Sequence, residues 1–219
     1  MATPTADADP RRLPRGPHGL TREQVERSQR DRLLTGAAEA VAAKGYAATS
    51  VADIIERAGV SRTTFYQLFD DKLDCFLAAC RMASDVVLAV LAEELVDIES
   101  GGVTAPIDKL DRLLDAYLRT LADFPVLARV FLVEVYAAGT QAIRQRRDSL
   151  EQFVDLIAEA HRGRPGFLGG GEDQRFAAEV LVGAVSSMVT NAVGVGEADD
   201  LPDLHAPLMR LATRILDAR

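Results

Sequence analysis

Residues 49–72, TSVADIIERAGVSRTTFYQLFDDK, carry the pattern that decides the fold of this chain. Ser50 is a typical helix N-cap, and Asp53 three residues later completes a capping box, so a helix begins here. Gly59 supplies the left-handed residue that ends it. Ser61 caps a second short helix directly afterwards, which leaves a turn of about three residues. Two helices joined by so short a turn predict a helix-turn-helix unit.

The second helix of this unit has an apolar side and a polar side. Phe65 and Phe69, four residues apart, predict the buried side. Arginine and threonine on the opposite side suit the major groove of DNA, where arginine bonds guanine and threonine methyl groups contact thymine. A lysine at the start of the next helix suits a phosphate. The predicted DNA-contacting residues are Thr49, Arg62, Thr63, Thr64, Tyr66, Gln67 and Lys72.

The segment GVSRTTFYQLFDDK, residues 59–72, resembles the recognition-helix signature of the TetR family of bacterial regulators. The shared features are a glycine-bounded turn, a cap serine, a short polar helix, an aromatic pair and a lysine that opens a long helix. This resemblance implies a homodimer with an N-terminal DNA-binding domain and a helical, ligand-binding C-terminal body. Leu68 departs from the family pattern, because members commonly have a phosphate-contacting Tyr or His there.

The composition fits an all-α protein with its DNA-facing end at the N-terminus. The chain has 219 residues, is 48% hydrophobic and contains no Trp, enough for one large domain or two small ones. Its net charge of −8 is uneven. Residues 1–68 hold ten Lys and Arg against eight Asp and Glu, whereas residues 69–219 hold fifteen against twenty-five. Because an acidic body repels phosphates, we expect the N-terminal region to face DNA.

Several classes of protein are disfavoured by the sequence. The longest uninterrupted apolar run, Val86–Ala92, is far shorter than the roughly 20 residues of a membrane span, and the N-terminus lacks the apolar core of a signal peptide. Cys75 and Cys80 cannot form a disulfide framework, which favours the cytosol; we expect core thiols, with a redox-sensing pair as the alternative. No nucleophile-base pair, phosphate loop or metal-ligand cluster occurs, so no enzyme activity, cofactor or metal is predicted.

The chain divides into three predicted regions: a disordered tail at 1–20, a helix-turn-helix DNA-binding domain at 21–70, and a helical ligand-binding and dimerisation domain at 71–219. The tail contains Arg11, Arg12 and Arg15 and is either inert or a basic arm that enters a DNA groove. Capping boxes at Thr21 and Asp71 predict a helix to about Lys44 and a long helix of some 26 residues. Further helices are expected at 107–121, 125–139, 140–163, 173–195 and 203–217, which gives about nine helices in an all-α fold.

The C-terminal body is expected to hold a ligand pocket and a dimer interface. Polar groups on otherwise apolar helices suggest a ligand site, since buried polar atoms need partners. The predicted ligand-binding residues are Tyr117, Arg129, Glu134, Tyr136 and Asn191. Small residues amid apolar ones on the last two helices suggest close helix packing between two copies, with an ordinary core helix as the alternative. The predicted interface residues are Gly183, Ser187, Met188, Leu208 and Leu211.

These patterns together predict a cytoplasmic, ligand-responsive, homodimeric repressor that binds a pseudo-palindromic operator in double-stranded DNA. The alternatives are an activator or a ligand-independent regulator of the same fold. A third alternative is a helical small-molecule-binding protein or enzyme with a vestigial helix-turn-helix.

Overall fold

The computed structural model describes residues 21–103, 105–160 and 172–217, and it contains nine α-helices and no strand in those ranges. The prediction of an all-α fold of about nine helices is therefore confirmed. The predicted tail at 1–20 and most of a glycine-rich loop predicted at 163–173 lie outside these ranges. The helices are α1 (Arg22–Lys44), α2 (Val51–Ala58), α3 (Arg62–Leu68), α4 (Lys72–Ser100), α5 (Pro106–Asp123), α6 (Pro125–Leu132), α7 (Thr140–Ala160), α8 (Glu172–Val195) and α9 (His205–Asp217).

The N-terminal helices begin and end where the sequence predicts. Thr21 Oγ1 accepts from the backbone N–H of Gln24, and the Gln24 side chain accepts from Thr21 N, so the capping box of α1 is complete. Ser50 and Asp53 form the same reciprocal pair at α2. Gly59 follows α2 with φ of 62°, in the left-handed region. These local interactions fix the helix-turn-helix geometry.

The core consists of three clusters that α4 connects. One cluster holds α1, α2, α3 and the start of α4 together around Leu33, Ile54 and Phe65. A large second cluster fills the body between α4 and the helices that follow it. The third cluster joins them, because residues of α1 and α4 pack there against α6 and α7. With 29 residues, α4 is roughly 43 Å long and spans from the N-terminal unit into the body. This arrangement supports the division at about residue 70.

The helix predicted at 125–139 is divided in two. α6 ends at Leu132, and residues Glu134–Ala138 continue as a 3-10 helix. The tighter turn rotates the Glu134 side chain towards the connection between α1 and α2, where it accepts from Tyr46 N. A second 3-10 segment, Ala198–Leu204, occupies the region before α9, so the last helix begins two residues later than predicted.

The two cysteines are separate core thiols. Cys75 lies in the N-terminal cluster with its Sγ 3.9 Å from the Leu33 carbonyl oxygen, and Cys80 lies in the joining cluster with its Sγ 4.0 Å from the Val130 carbonyl oxygen. Burial raises the pKa of each thiol to about 12. The core interpretation is confirmed, and the geometry gives no support to a redox pair.

Two helices, α4 and α8, are long and apolar enough to cross a membrane by length and composition alone. The sequence-based expectation concerned uninterrupted apolar runs, and charged or polar residues interrupt both helices. In the folded chain, α4 contributes buried side chains to all three core clusters. One side of α8 packs into the body, and its other side is exposed.

Candidate nucleic-acid interface and ligand cavity

The polar side of α3 faces outward. Phe65 and Phe69 are buried on its other side, and the Arg30 guanidinium lies over the Phe69 ring at 4.6 Å from its centroid. Because the aromatic side is anchored in this way, the orientation of the helix is fixed. The predicted residues Arg62, Thr63, Tyr66 and Gln67 are exposed, and Thr64 is half-buried with its hydroxyl bonded to the Ser61 cap.

Thr49 does not belong to this outward surface. Its side chain is 3% exposed, and its hydroxyl lies 2.8 Å from the Gly45 carbonyl oxygen. The hydroxyl therefore closes the connection between α1 and α2, and the prediction that it contacts phosphate was wrong.

Lys72 is held by the same connection. Its ammonium donates to the carbonyl oxygens of Tyr46 and Thr49, at 2.9 Å and 2.8 Å, and lies 4.2 Å from the centre of the Tyr46 ring. A lysine ammonium has three N–H donors, so one remains for a phosphate. The side chain is half-buried. Lys72 thus fastens the start of α4 to the residues that precede α2.

A buried carboxylate connects this region to the body. Glu134 accepts from the backbone N–H of Tyr46 at 2.9 Å and pairs with Arg129 at 3.1 Å. The carboxylate is buried, whereas Arg129 is about one third exposed. We call Glu134, Tyr46 and Arg129 the latch. It connects the α6 end of the body directly to the turn that carries α2, in addition to the connection through α4.

The body contains a cavity of about 70 Å³ between α4, α5, α7, α8 and α9. Only two of its lining residues, Tyr117 and Ser186, carry a hydroxyl, and the others are apolar. Burial raises the pKa of Tyr117 to about 12. The lining residues are Leu91, Leu110, Leu113, Leu114, Tyr117, Leu150, Phe153, Ile157, Leu181, Val182, Val185, Ser186, Leu208, Met209 and Ala212.

Of the five predicted ligand residues, the structure brings only Tyr117 to this cavity. Glu134 and Arg129 belong to the latch, and Tyr136 is exposed with its hydroxyl accepting from Arg146. Asn191 is exposed on α8. The other four lie away from it, because a polar residue in an apolar run needs a partner of any kind, and each has one in the protein or in solvent.

α8 and α9 expose a band of apolar and small residues. On α8, Phe176 is 66% and Val180 is 55% exposed, and the band continues at helical spacing through Gly183, Ser187 and Met188. Leu211 on α9 is also exposed. Leu208 differs from the other predicted interface residues, because it is half-buried and lines the cavity. Its assignment to an interface stays a prediction.

Two residues at these sites were missed from the sequence. Tyr46 contributes to the latch through its backbone N–H, so the identity of its side chain gives no indication of this role. Arg146 is 4% exposed and lies behind the cavity wall, although it occurs in the polar run Arg144–Arg147. A signal for it was present, because Arg146 lies four residues from buried Ala142 and seven from buried Phe153 on the same helix.

Comparisons with known proteins agree with this architecture. The model of the family described as "Bacterial regulatory proteins, tetR family" matches residues 33–79. The transcriptional activator FasR of Mycolicibacterium smegmatis is 30% identical over 145 residues, which cover 62% of this chain and 64% of FasR. The regulator RutR of Escherichia coli K12 is 24% identical over 134 residues, or 61% of this chain. The match spans 60% of the length of RutR.

Solved structures share the fold over most of the chain. FadR from Bacillus halodurans has a TM-score of 0.70 at 23% identity and covers 84% of this chain and 94% of its own. FadR from Bacillus subtilis, solved with stearoyl-CoA, has a TM-score of 0.69 at 22% identity. The match covers 83% of this chain and 96% of that FadR chain. The matched segment and the shared fold lead to one conclusion: residues 33–79 carry the N-terminal domain of the TetR family of bacterial regulatory proteins, within a chain that has the overall fold of such regulators.

Proposed function

We propose that the protein is a cytoplasmic, ligand-responsive repressor that binds a pseudo-palindromic DNA operator as a homodimer. The observation that carries this proposal is the outward polar side of α3, held rigidly by buried Phe65 and Phe69. A short helix of this kind, at the second position of a helix-turn-helix, docks in the major groove with its polar side chains against base edges. Arg62, Thr63, Tyr66 and Gln67 are the residues available for contacts.

The exposed band on α8 and α9 supports a dimer. Exposed apolar side chains aligned along a helix are a common feature of surfaces that pack against another chain. A two-fold symmetric pair of these helices would form a four-helix seam and bury Phe176, Val180 and Leu211. Two copies would also present two α3 helices to successive turns of DNA, as symmetric helix-turn-helix proteins require.

The cavity supports control by a small molecule. A volume of about 70 Å³ is well below the roughly 300–1,000 Å³ typical of ligand pockets, so an occupant must move the walls. Leu91 of α4 is one of those walls, about 28 Å along the helix from Lys72. Outward movement of α4 and α6 would reposition α3 through Lys72 and through the latch. A ligand acts in this way only if it prefers the conformation that does not bind DNA.

Activation of transcription is the second candidate, favoured by the similarity to FasR, a transcriptional activator. Both candidates use the same DNA-binding surface. The position of the footprint relative to the promoter separates them, because a repressor site overlaps the region that RNA polymerase occupies and an activator site lies upstream of it.

Selection of bound sequences from random duplex DNA by the purified protein tests the proposal. We expect an inverted repeat to be enriched. Arg62→Ala should then lose roughly 1–3 kcal/mol at one base position of each half-site and relax the preference there. Arg147→Ala, the matched control on the exposed side of α7, removes the same charge and should leave the preference unchanged. An unchanged preference in Arg62→Ala would exclude this residue from base recognition.

Lys72→Ala tests the phosphate contact. If the third N–H of Lys72 binds a phosphate, the variant should bind all sequences more weakly and reduce the salt slope by about one. If Lys72 only fastens Tyr46 and Thr49, the slope will stay the same while the stability of the protein falls.

A further inference from the structure

Arg146 is a buried cation whose partners are all neutral. Its Nε donates to the Tyr136 hydroxyl at 3.2 Å, and one Nη donates to the Phe131 carbonyl oxygen at 3.1 Å. The other Nη donates to the hydroxyls of Ser186 at 2.8 Å and Thr190 at 3.3 Å. Among the residues that the structure describes, no carboxylate lies within ion-pair distance of this guanidinium.

This arrangement is unusual because arginine stays protonated when it is buried. Buried charges in proteins are normally paired, since an isolated ion loses its hydration. Guanidinium has five N–H donors, and the four contacts above leave one Nη hydrogen without an acceptor in the described part of the chain. Phe131 lies in the last turn of α6, whose carbonyl end supplies a partial negative charge. That partial charge does not replace a carboxylate.

The guanidinium lies directly behind the wall of the cavity. Ser186 belongs both to the cavity lining and to the contacts of Arg146. The Phe131 ring, 5.0 Å from the guanidinium carbon, pairs with the Phe153 ring of the lining, which in turn pairs with Tyr117. The Tyr117 hydroxyl has no hydrogen-bond partner among the described residues, and its half-buried side chain lines the cavity. The cavity lining thus carries two hydroxyls, those of Tyr117 and Ser186, and the Arg146 guanidinium lies behind the second of them.

We propose that the effector is an aliphatic carboxylate whose chain fills the cavity and whose carboxylate is bound by Arg146. The Tyr117 and Ser186 hydroxyls donate to the same head group. The leucine-rich lining favours an aliphatic chain in the effector, and the unpaired guanidinium favours a negatively charged head group. The remaining N–H of Arg146 would make a charge-assisted hydrogen bond to a carboxylate oxygen, a contact roughly twice as strong as one between neutral groups. This inference deepens the proposed regulatory function and rests on it for its biological meaning.

Calorimetric titration of the purified protein with dodecanoate, below its micelle concentration, tests the site without DNA. 1-Dodecanol and dodecanoyl-CoA have the same chain without a free carboxylate. We expect the wild type to bind dodecanoate at least tenfold more tightly than either. Arg146→Gln should remove that preference, and Arg146→Lys, which keeps the charge without the planar fork, should retain part of it.

Tyr117→Phe is the variant that keeps the test meaningful if Arg146→Gln fails to fold. Its hydroxyl bonds nothing in the described structure, so the fold should be preserved, and dodecanoate affinity should fall several-fold while dodecanol affinity stays unchanged. Ser100→Ala removes an exposed hydroxyl at the end of α4, outside the cavity and the DNA-binding surface, and as the control it should change neither. Equal binding of dodecanoate and dodecanol, a preference for dodecanoyl-CoA, or unaltered binding by Tyr117→Phe would overturn the proposal. Because the titration contains no DNA, these outcomes leave the DNA-binding function to its own test.

Discussion

Removal of the Glu134 carboxylate should destabilise the protein more than any surface charge does. In the native state Glu134 accepts from Tyr46 N and pairs with Arg129. A hydrogen bond to a charged group contributes about 1.5–3 kcal/mol. Because Arg129 is about one third exposed, its ion pair adds no more than about 1 kcal/mol after solvent screening. Glu134→Ala should therefore lower the free energy of unfolding by about 2–3 kcal/mol.

Two further variants divide this effect between the two contacts. Glu134→Gln keeps a side-chain oxygen for Tyr46 N but loses the charge, so the expected loss is about 1 kcal/mol. Arg129→Ala removes only the screened ion pair and should cost less than 1 kcal/mol. Glu151→Ala, at an exposed position on α7, is the matched control and should be within about 0.5 kcal/mol of the wild type.

Urea denaturation followed by circular dichroism is the assay, with all variants at one protomer concentration because a dimer makes stability concentration-dependent. The order of stability should be Glu151→Ala, then Arg129→Ala, then Glu134→Gln, with Glu134→Ala last. If Glu134→Ala were as stable as the Glu151→Ala control, the latch would contribute nothing to the connection between the body and the helix-turn-helix. The account of how a ligand signal reaches α3 would then have to depend on α4 alone.

Three other predictions concern the cap, the thiols and the dimer. Ser50→Ala should cost about 1 kcal/mol of unfolding free energy, measured by urea denaturation, because the start of α2 loses its N-cap; no change would mean that the cap is dispensable. Cys75 and Cys80 should resist a thiol reagent at pH 8 until the protein unfolds, since their raised pKa of about 12 leaves almost no thiolate; rapid labelling of the folded protein would contradict this. Val180→Arg should convert the proposed dimer to monomer in analytical ultracentrifugation, whereas Glu151→Arg should not, and a dimer that survives Val180→Arg would place the interface elsewhere.

The sequence was sufficient for the features that depend on neighbouring residues. The caps at Thr21, Ser50 and Ser61 and the stop at Gly59 each use contacts within four residues, so their spacing alone predicts them. The buried side of α3 also follows from the four-residue spacing of Phe65 and Phe69. For this reason the fold class and the orientation of α3 could be predicted.

The body was harder, because its polar residues have partners far away in sequence. Glu134 accepts from a backbone group 88 residues earlier, and Arg146 donates to Ser186, 40 residues later. Nothing local distinguishes a glutamate that binds a ligand from one that holds two domains together. Arg146 lies within a charged run, and only its helical spacing from buried Ala142 and Phe153 indicates that it is buried.

Selection of bound duplexes from a random library by the purified protein tests whether the outward side of α3 recognises DNA bases. We expect enrichment of one inverted repeat, with binding that weakens steeply as salt rises and with a base preference that Arg62→Ala relaxes in both half-sites. Recovery of no preferred sequence, or of one that Arg62→Ala reads as the wild type does, would contradict it.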